Sequence, residues 1–109
     1  MDKNTILSLT KKWGSHTQVS YGELLSWSKY TLLYFYPKDN TPGCTLEGQD
    51  FTRLSSDFLS LGVQVIGVSK DSGDSHANFQ SSCGIWLDLI ADDGYLVDSF
   101  SVMGEKNMY

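Results

Sequence analysis

Residues 31–69 read TLLYFYPKDNTPGCTLEGQDFTRLSSDFLSLGVQVIGVS, and this stretch decides the fold. Thr31–Tyr36 is continuous, apolar and rich in β-formers, the pattern of a fully buried strand. Pro37 ends it, and Pro37–Gly43 is a loop bracketed by the chain's only two prolines, Pro37 and Pro42. Across Cys44–Leu59 and just beyond, Phe51, Leu54, Phe58 and Leu61 recur at spacings of three and four, so one helical face is apolar. Gly62 stops that helix as a residue at ease in the left-handed conformation. Val63–Ser69 is a second buried strand.

Working outward, Asp74–Ser82 predicts a short helix with Ala77 facing inward and Gly84 after its end. Ile85–Ile90 predicts a short strand, Asp92-Asp93-Gly94 a turn, and Tyr95–Phe100 a last short helix or strand. Upstream, Ile6, Leu7 and Leu9 start a strand, and Lys11–Thr17 is a turn with Gly14 as its permissive residue. Ser20–Ser28 is a short helical turn, with Ser20 as N-cap and Glu23 completing a capping box. The order strand–helix–strand–helix–strand indicates an α/β domain with a largely parallel sheet flanked by helices. Ligand chemistry in such sheets sits at the carboxyl ends of the strands, and Cys44 lies there.

The chain has 109 residues, 40% of them apolar, and carries a formal charge of −5. That is enough for one core and too little for two. No repeat, low-complexity tract or linker divides it, so residues 1–109 read as a single domain. An acidic chain with one arginine, Arg53, is a poor match for nucleic acid or an anionic membrane surface. The longest apolar run, Leu32–Tyr36, falls far short of the roughly 18 residues of a membrane span. The N-terminus has no apolar signal core. Two cysteines do not make a disulfide-stapled scaffold, so the expected compartment is the cytoplasm, where free thiols persist.

Cys44 occupies the first turn of its helix. The unpaired N–H groups there carry partial positive charge and stabilise a thiolate. Pro42 and Gly43 allow a tight turn with close backbone approach, and Thr41 can place a hydroxyl beside the sulfur. Position alone leaves two readings open: a reactive thiol, or a small buried hydrophobe.

Residues 34–49 (YFYPKDNTPGCTLEGQ) resemble the active-site segment of peroxiredoxins, specifically the bacterioferritin-comigratory-protein or PrxQ subfamily. The pattern Pro-x-x-x-Thr-x-x-Cys falls on Pro37, Thr41 and Cys44, and the longer run through Thr45 and Glu47 is more specific. The likeness continues through residues 65–69 (VIGVS), Ser75, His76, Phe79 and residues 91–94 (ADDG). The resemblance implies a thioredoxin-like fold and a thiol peroxidase acting on hydrogen peroxide and organic hydroperoxides. Cys44 would be the peroxidatic cysteine, oxidised to a sulfenic acid. Pro37 would shield the sulfur and Thr41 would bond the peroxide. The N–H groups of Gly43 and Cys44 would hold its oxygens. Glu47 would orient the family's arginine. Sulfur would carry the electrons without metal, haem or flavin, and thioredoxin or a similar dithiol would be the reductant. The implied assembly is a monomer or weak homodimer.

Two departures from the family bear on this reading. Many members carry a second cysteine five residues after the first, where this chain has Gln49. Some resolve instead through a cysteine on the second helix, which makes Cys83 the candidate. The alternative is an ordinary helix-end residue with an external thiol as resolver. A Cys44–Cys83 bond needs Cα atoms within about 7 Å, hence partial unwinding near Cys44. Family members also continue past the position of Tyr109 with a β-hairpin, a final helix and the activating arginine, and they begin with a fuller N-terminal strand pair. The resemblance therefore implies a partial domain with weak or no turnover. Arg53, about 13 Å along the helix from Cys44 and on its opposite face, does not replace the arginine.

Other constellations are weaker. Asp50 stands where a Cys-x₅-Arg phosphatase loop needs its arginine, and Glu47 where a Cys-x-x-Cys pair needs its second thiol. Cys44, His76 and Cys83 lack the paired spacing of a zinc site. His76 reads as a surface or capping residue. Asp88, Asp92 and Asp93 read as a solvated turn, and Trp13, Trp27 and Trp86 as core or edge residues. Of Tyr34 and Tyr36, one would line the pocket and the other pack the core. A non-catalytic binding module and a Cys44–Cys83 redox sensor remain as alternative functions.

Overall fold

A computed structural model describes residues 2–100. The chain runs β1 (Ile6–Thr10), β2 (His16–Ser20), α1 (Tyr21–Ser26), β3 (Tyr30–Phe35), α2 (Pro42–Ser60), β4 (Val63–Ser69), α3 (Gly73–Cys83), β5 (Asp88–Ala91) and α4 (Tyr95–Phe100). The five strands form one sheet in the order β2-β1-β5-β4-β3. β3 and β5 flank β4 in parallel, with Leu33 opposite Ile66 and Val68 opposite Ile90. The parallel core is the expected one.

The N-terminal region differs from expectation. His16 and Thr17 are not the tail of a turn but open a strand, β2, antiparallel to β1, and β1 in turn pairs antiparallel with β5. The sheet is therefore mixed, with an antiparallel pair of strands, β1 and β2, at its N-terminal edge. Four of the five β2 residues are polar and only Val19 is buried, so no apolar alternation marked it. A short helix follows it with Ser20 as the N-cap: the Ser20 hydroxyl accepts the Glu23 N–H at 3.1 Å.

Alternation along the strands divides the core between the two sheet faces. Phe35, Ile66, Val68 and Ile90 join Leu24 of α1 and Leu96 and Val97 of α4. Tyr34, Tyr36, Val65 and Leu89 join Phe79 of α3 and Cys44 of α2. Full burial of a side chain such as Phe79 contributes about 1.5–3 kcal/mol. β3 is not fully buried: it is the last strand on its side, and only its carboxyl end, Tyr34 and Phe35, is covered.

The inward stripe of α2 also differs from the predicted one. Cys44, Gly48, Phe51, Ser55 and Phe58 face the sheet at spacings of four and three, while Leu54 and Leu61 are exposed. The true stripe begins at the cysteine and includes a glycine and a serine, which hydropathy does not mark. Gly48 is there for space: a Cβ on it would stand 2.9 Å from Ile85 Cδ1. Gly84 ends α3 in the left-handed conformation, φ 67°. Ala77 is only half-buried, because α3 turns His76, Phe79 and Gln80 inward instead. Tyr95–Phe100 is a helix, started by Asp92, which is buried rather than solvated and accepts from the N–H groups of Leu96 and Val97 at 2.9 and 3.2 Å. Asp88 is likewise no open turn residue; it accepts from the Lys12 N–H at 2.8 Å and pairs with Lys11. The three tryptophans lie at the surface, each at least 40% exposed.

Candidate active site

Thr41 sets the start of α2. Its backbone is extended (φ −79°, ψ 151°), and its hydroxyl accepts the Cys44 N–H at 3.4 Å and donates to the Lys38 carbonyl at 3.3 Å. Pro42 follows at the first helical position, where a missing N–H costs nothing. Cys44 is third in the helix and 8% exposed, with its body in the α2–α3 core. Among the described residues no acceptor takes the Gly43 N–H, and a Cβ on Gly43 would meet nothing within 4 Å. A donor with no acceptor among the described residues therefore stands one residue before the buried Cys44. The Cys44 N–H, expected to face substrate with that of Gly43, is engaged by Thr41 instead.

Cys83 ends α3 against the same turn. Its thiol donates to Asn40 Oδ1 at 3.4 Å, and its carbonyl accepts from Gln49 Nε2 at 2.9 Å. Asn40 precedes Thr41 and has a left-handed backbone, φ 65°. The chain thus brings Cys83 into contact with residues four before and five after Cys44, the first through its thiol and the second through its carbonyl. Both thiols are free. Pro37 lies exposed at the head of the loop. Glu47 is half-buried one turn along α2, where desolvation pushes its carboxyl above the usual range, and no ion-pair or hydrogen-bond partner faces it among the described residues. Arg53 is exposed, as its place on the helix implied, and is paired with Asp50 at 2.9 Å.

Sequence reasoning missed the polar network under the loop. His76 is not at the surface but fully buried. Its Nε2 meets the Ile90 carbonyl at 2.9 Å, and its Nδ1 meets Asp39 Oδ2 at 2.7 Å. Asp39, 4% exposed, also accepts the Tyr36 hydroxyl at 2.6 Å and the Ser75 hydroxyl at 2.9 Å, and its N–H donates to Asp71 at 2.6 Å. Burial, and then the bond to Asp39, push the Tyr36 phenol far above its ordinary range, so it stays a neutral donor. Tyr34 and Tyr36 are both core residues; Tyr34 stacks on Phe51 with centroids 4.6 Å apart. With both nitrogens engaged, His76 has no lone pair to share with Cys44 and Cys83, and among the described residues no group of three metal-ligating side chains converges. The one signal for the network was spacing: His76, Phe79, Gln80 and Cys83 form a helical stripe whose polar members a hydropathy reading discards.

Residues 4–109 match the AhpC/TSA family. The chain belongs to that family. It is 48% identical over 81 residues to Peroxiredoxin Bcp of Xanthomonas campestris, covering 73% of this chain and 51% of the relative. Peroxiredoxin Bcp of Bacillus subtilis is 44% identical over 82 residues, covering 74% and 52%. A solved structure of Xanthomonas campestris Peroxiredoxin Q superposes with a TM-score of 0.81 at 41% identity, over 98% of this chain and 65% of that one. The resemblance to Bcp and PrxQ peroxiredoxins and the thioredoxin-like α/β fold are thus established. The chain spans about half the length of the two Bcp relatives.

Proposed function

We propose that this chain is the cysteine-bearing part of a thiol peroxidase, one partial domain over residues 1–109, that reduces hydrogen peroxide and organic hydroperoxides. The observation that carries this is Cys44 in the first turn of α2, next to the Gly43 N–H, which has no acceptor among the described residues, and to the Thr41 hydroxyl. The Cys44 thiolate attacks one oxygen of the O–O bond. An S–O bond forms, the O–O bond breaks, and the departing oxygen takes a proton and leaves as water or an alcohol. Sulfur is oxidised by two electrons to a sulfenic acid. The Gly43 N–H, with helix-start polarity behind it, faces the charge that develops on oxygen. Thr41 turns its hydroxyl to the peroxide, and Pro37 screens the mouth of the site. Glu47, unpartnered among the described residues, waits for a cation such as an arginine.

Cys83 is the proposed resolver. Its thiol attacks the Cys44 sulfenic sulfur, the S–S bond forms, and water leaves. Thioredoxin or a similar dithiol then reduces the disulfide, in a cytoplasmic compartment. The contacts of Cys83 with Asn40 and Gln49 support this over a remote helix-end role.

The test adds one equivalent of hydrogen peroxide to the reduced chain and traps sulfenic acid with a dione reagent before peptide mapping. Label or disulfide on Cys44 is expected. An unmodified Cys44 would leave only a non-catalytic module. In Cys83→Ser, sulfinic acid at Cys44 should rise; if it does not, Cys83 is not the resolver.

A further inference from the structure

The loop that carries Thr41 toward Cys44 is held by a single buried residue. Pro37, Lys38 and Asn40 are exposed, and only Asp39 turns inward. It does so against α3: Ser75 and His76 meet its carboxylate at 2.9 and 2.7 Å, and Tyr36 closes the third side. His76 is fixed in turn, because Nε2 faces a carbonyl, the Ile90 oxygen, which can only accept. Nε2 therefore carries a proton, and one further proton bridges His76 Nδ1 and Asp39. All of this is buried, where a satisfied polar network is strong and specific in geometry.

Resting on the reading of Cys44 as the peroxidatic thiol, we propose that Asp39 and His76 are a positioning pair for the peroxide-binding turn. They touch neither sulfur nor substrate. They fix the loop two residues before Thr41, whose hydroxyl caps α2 and, on the same reading, bonds the peroxide. The chain uses a buried carboxylate–imidazole contact here because a loop of five residues with an exposed proline, lysine and asparagine has no apolar anchor of its own.

The test separates attack on peroxide, which needs aligned donors, from alkylation by iodoacetamide, which needs only an ionised and accessible sulfur. Asp39→Ala should slow Cys44 oxidation by hydrogen peroxide about 100-fold, the scale of a 1 Å misplacement, while alkylation slows far less. Amide exchange over residues 37–45 should accelerate, with β4 and β5 protected as before. Asp39→Asn keeps the shape and can bond both Tyr36 and His76, so it should restore most of the peroxide rate. Ser75→Ala removes one peripheral bond and keeps the fold if Asp39→Ala does not; it should lower the peroxide-to-alkylation ratio about five-fold, the scale of one net hydrogen bond. An unchanged ratio and unchanged exchange at 37–45 in these variants would overturn the positioning role. Peroxide oxidation that proceeds undiminished in Cys44→Ser would instead overturn the peroxidase reading beneath it.

Discussion

The two thiols of this chain sit at opposite ends of two helices that meet at one loop. Cys44 lies in the first turn of α2, where its own N–H is bonded to Thr41 and that of Gly43 has no acceptor among the described residues. Cys83 closes α3, its thiol donating a hydrogen bond to Asn40 Oδ1 at 3.4 Å. Helix starts present donors and helix ends present acceptors. One residue type is thus given two surroundings: a sulfur at a helix start, which on the proposed reading attacks, and a sulfur at a helix end that donates to a side-chain oxygen, which on the same reading resolves.

The largest expected effect would break this contrast outright. Cys44→Ser should abolish stoichiometric peroxide reduction, whereas Cys83→Ser should leave the first oxidation intact and divert its product to sulfinic acid; following thiols and products by mass spectrometry checks both. Next comes the packing that seats the first thiol. Gly48→Ala drives a Cβ to 2.9 Å from Ile85 and should cost about 1–3 kcal/mol of stability as an overpacked site. Gly43→Ala, in open space, should be tolerated, and urea melts of the pair would show the difference.

That packing also marks where the sequence was readable. Pro37, Pro42, Gly43 and Cys44 were legible because breakers and helix starts are local features, whereas Thr41 was read for its hydroxyl and not as the cap of α2. So were Gly62 and Gly84, which end α2 and α3 with positive φ. The strand β2 was hidden because its partners β1 and α1, not its own hydropathy, hold it. His76 was hidden because its burial depends on Asp39, 37 residues earlier in the chain. A polar residue paired across such a distance carries no local mark of being inside. The stripe of α2 was misread for a related reason: Gly48 faces inward for its smallness and Leu54 lies just off the buried arc.

Two smaller effects sharpen the comparison. Thr41→Ala and Ser72→Ala each remove a helix N-cap, of α2 and α3 respectively, and each should cost about 1 kcal/mol. Only the first should slow Cys44 oxidation, measured by competition against a reference thiol. Glu47→Gln should show the smallest change. Desolvation raises the Glu47 carboxyl, so the folded state binds its proton more tightly than the unfolded chain, and this group's contribution falls as pH rises from its unfolded range through its folded one. Glu47→Gln should therefore raise the thermal midpoint slightly at pH 7 and leave it unchanged at pH 4. A lowered midpoint at pH 7 would show that Glu47 has a stabilising partner.

The contrast between the two helix ends is tested most directly by following both thiols of the reduced chain separately, by peptide mass spectrometry, during titration with sub-stoichiometric hydrogen peroxide. The expected result is that Cys44 is consumed first, and that Cys83 disappears only afterwards and only as a disulfide to Cys44. Loss of Cys83 ahead of Cys44, or loss of both at the rate of free cysteine, would contradict it.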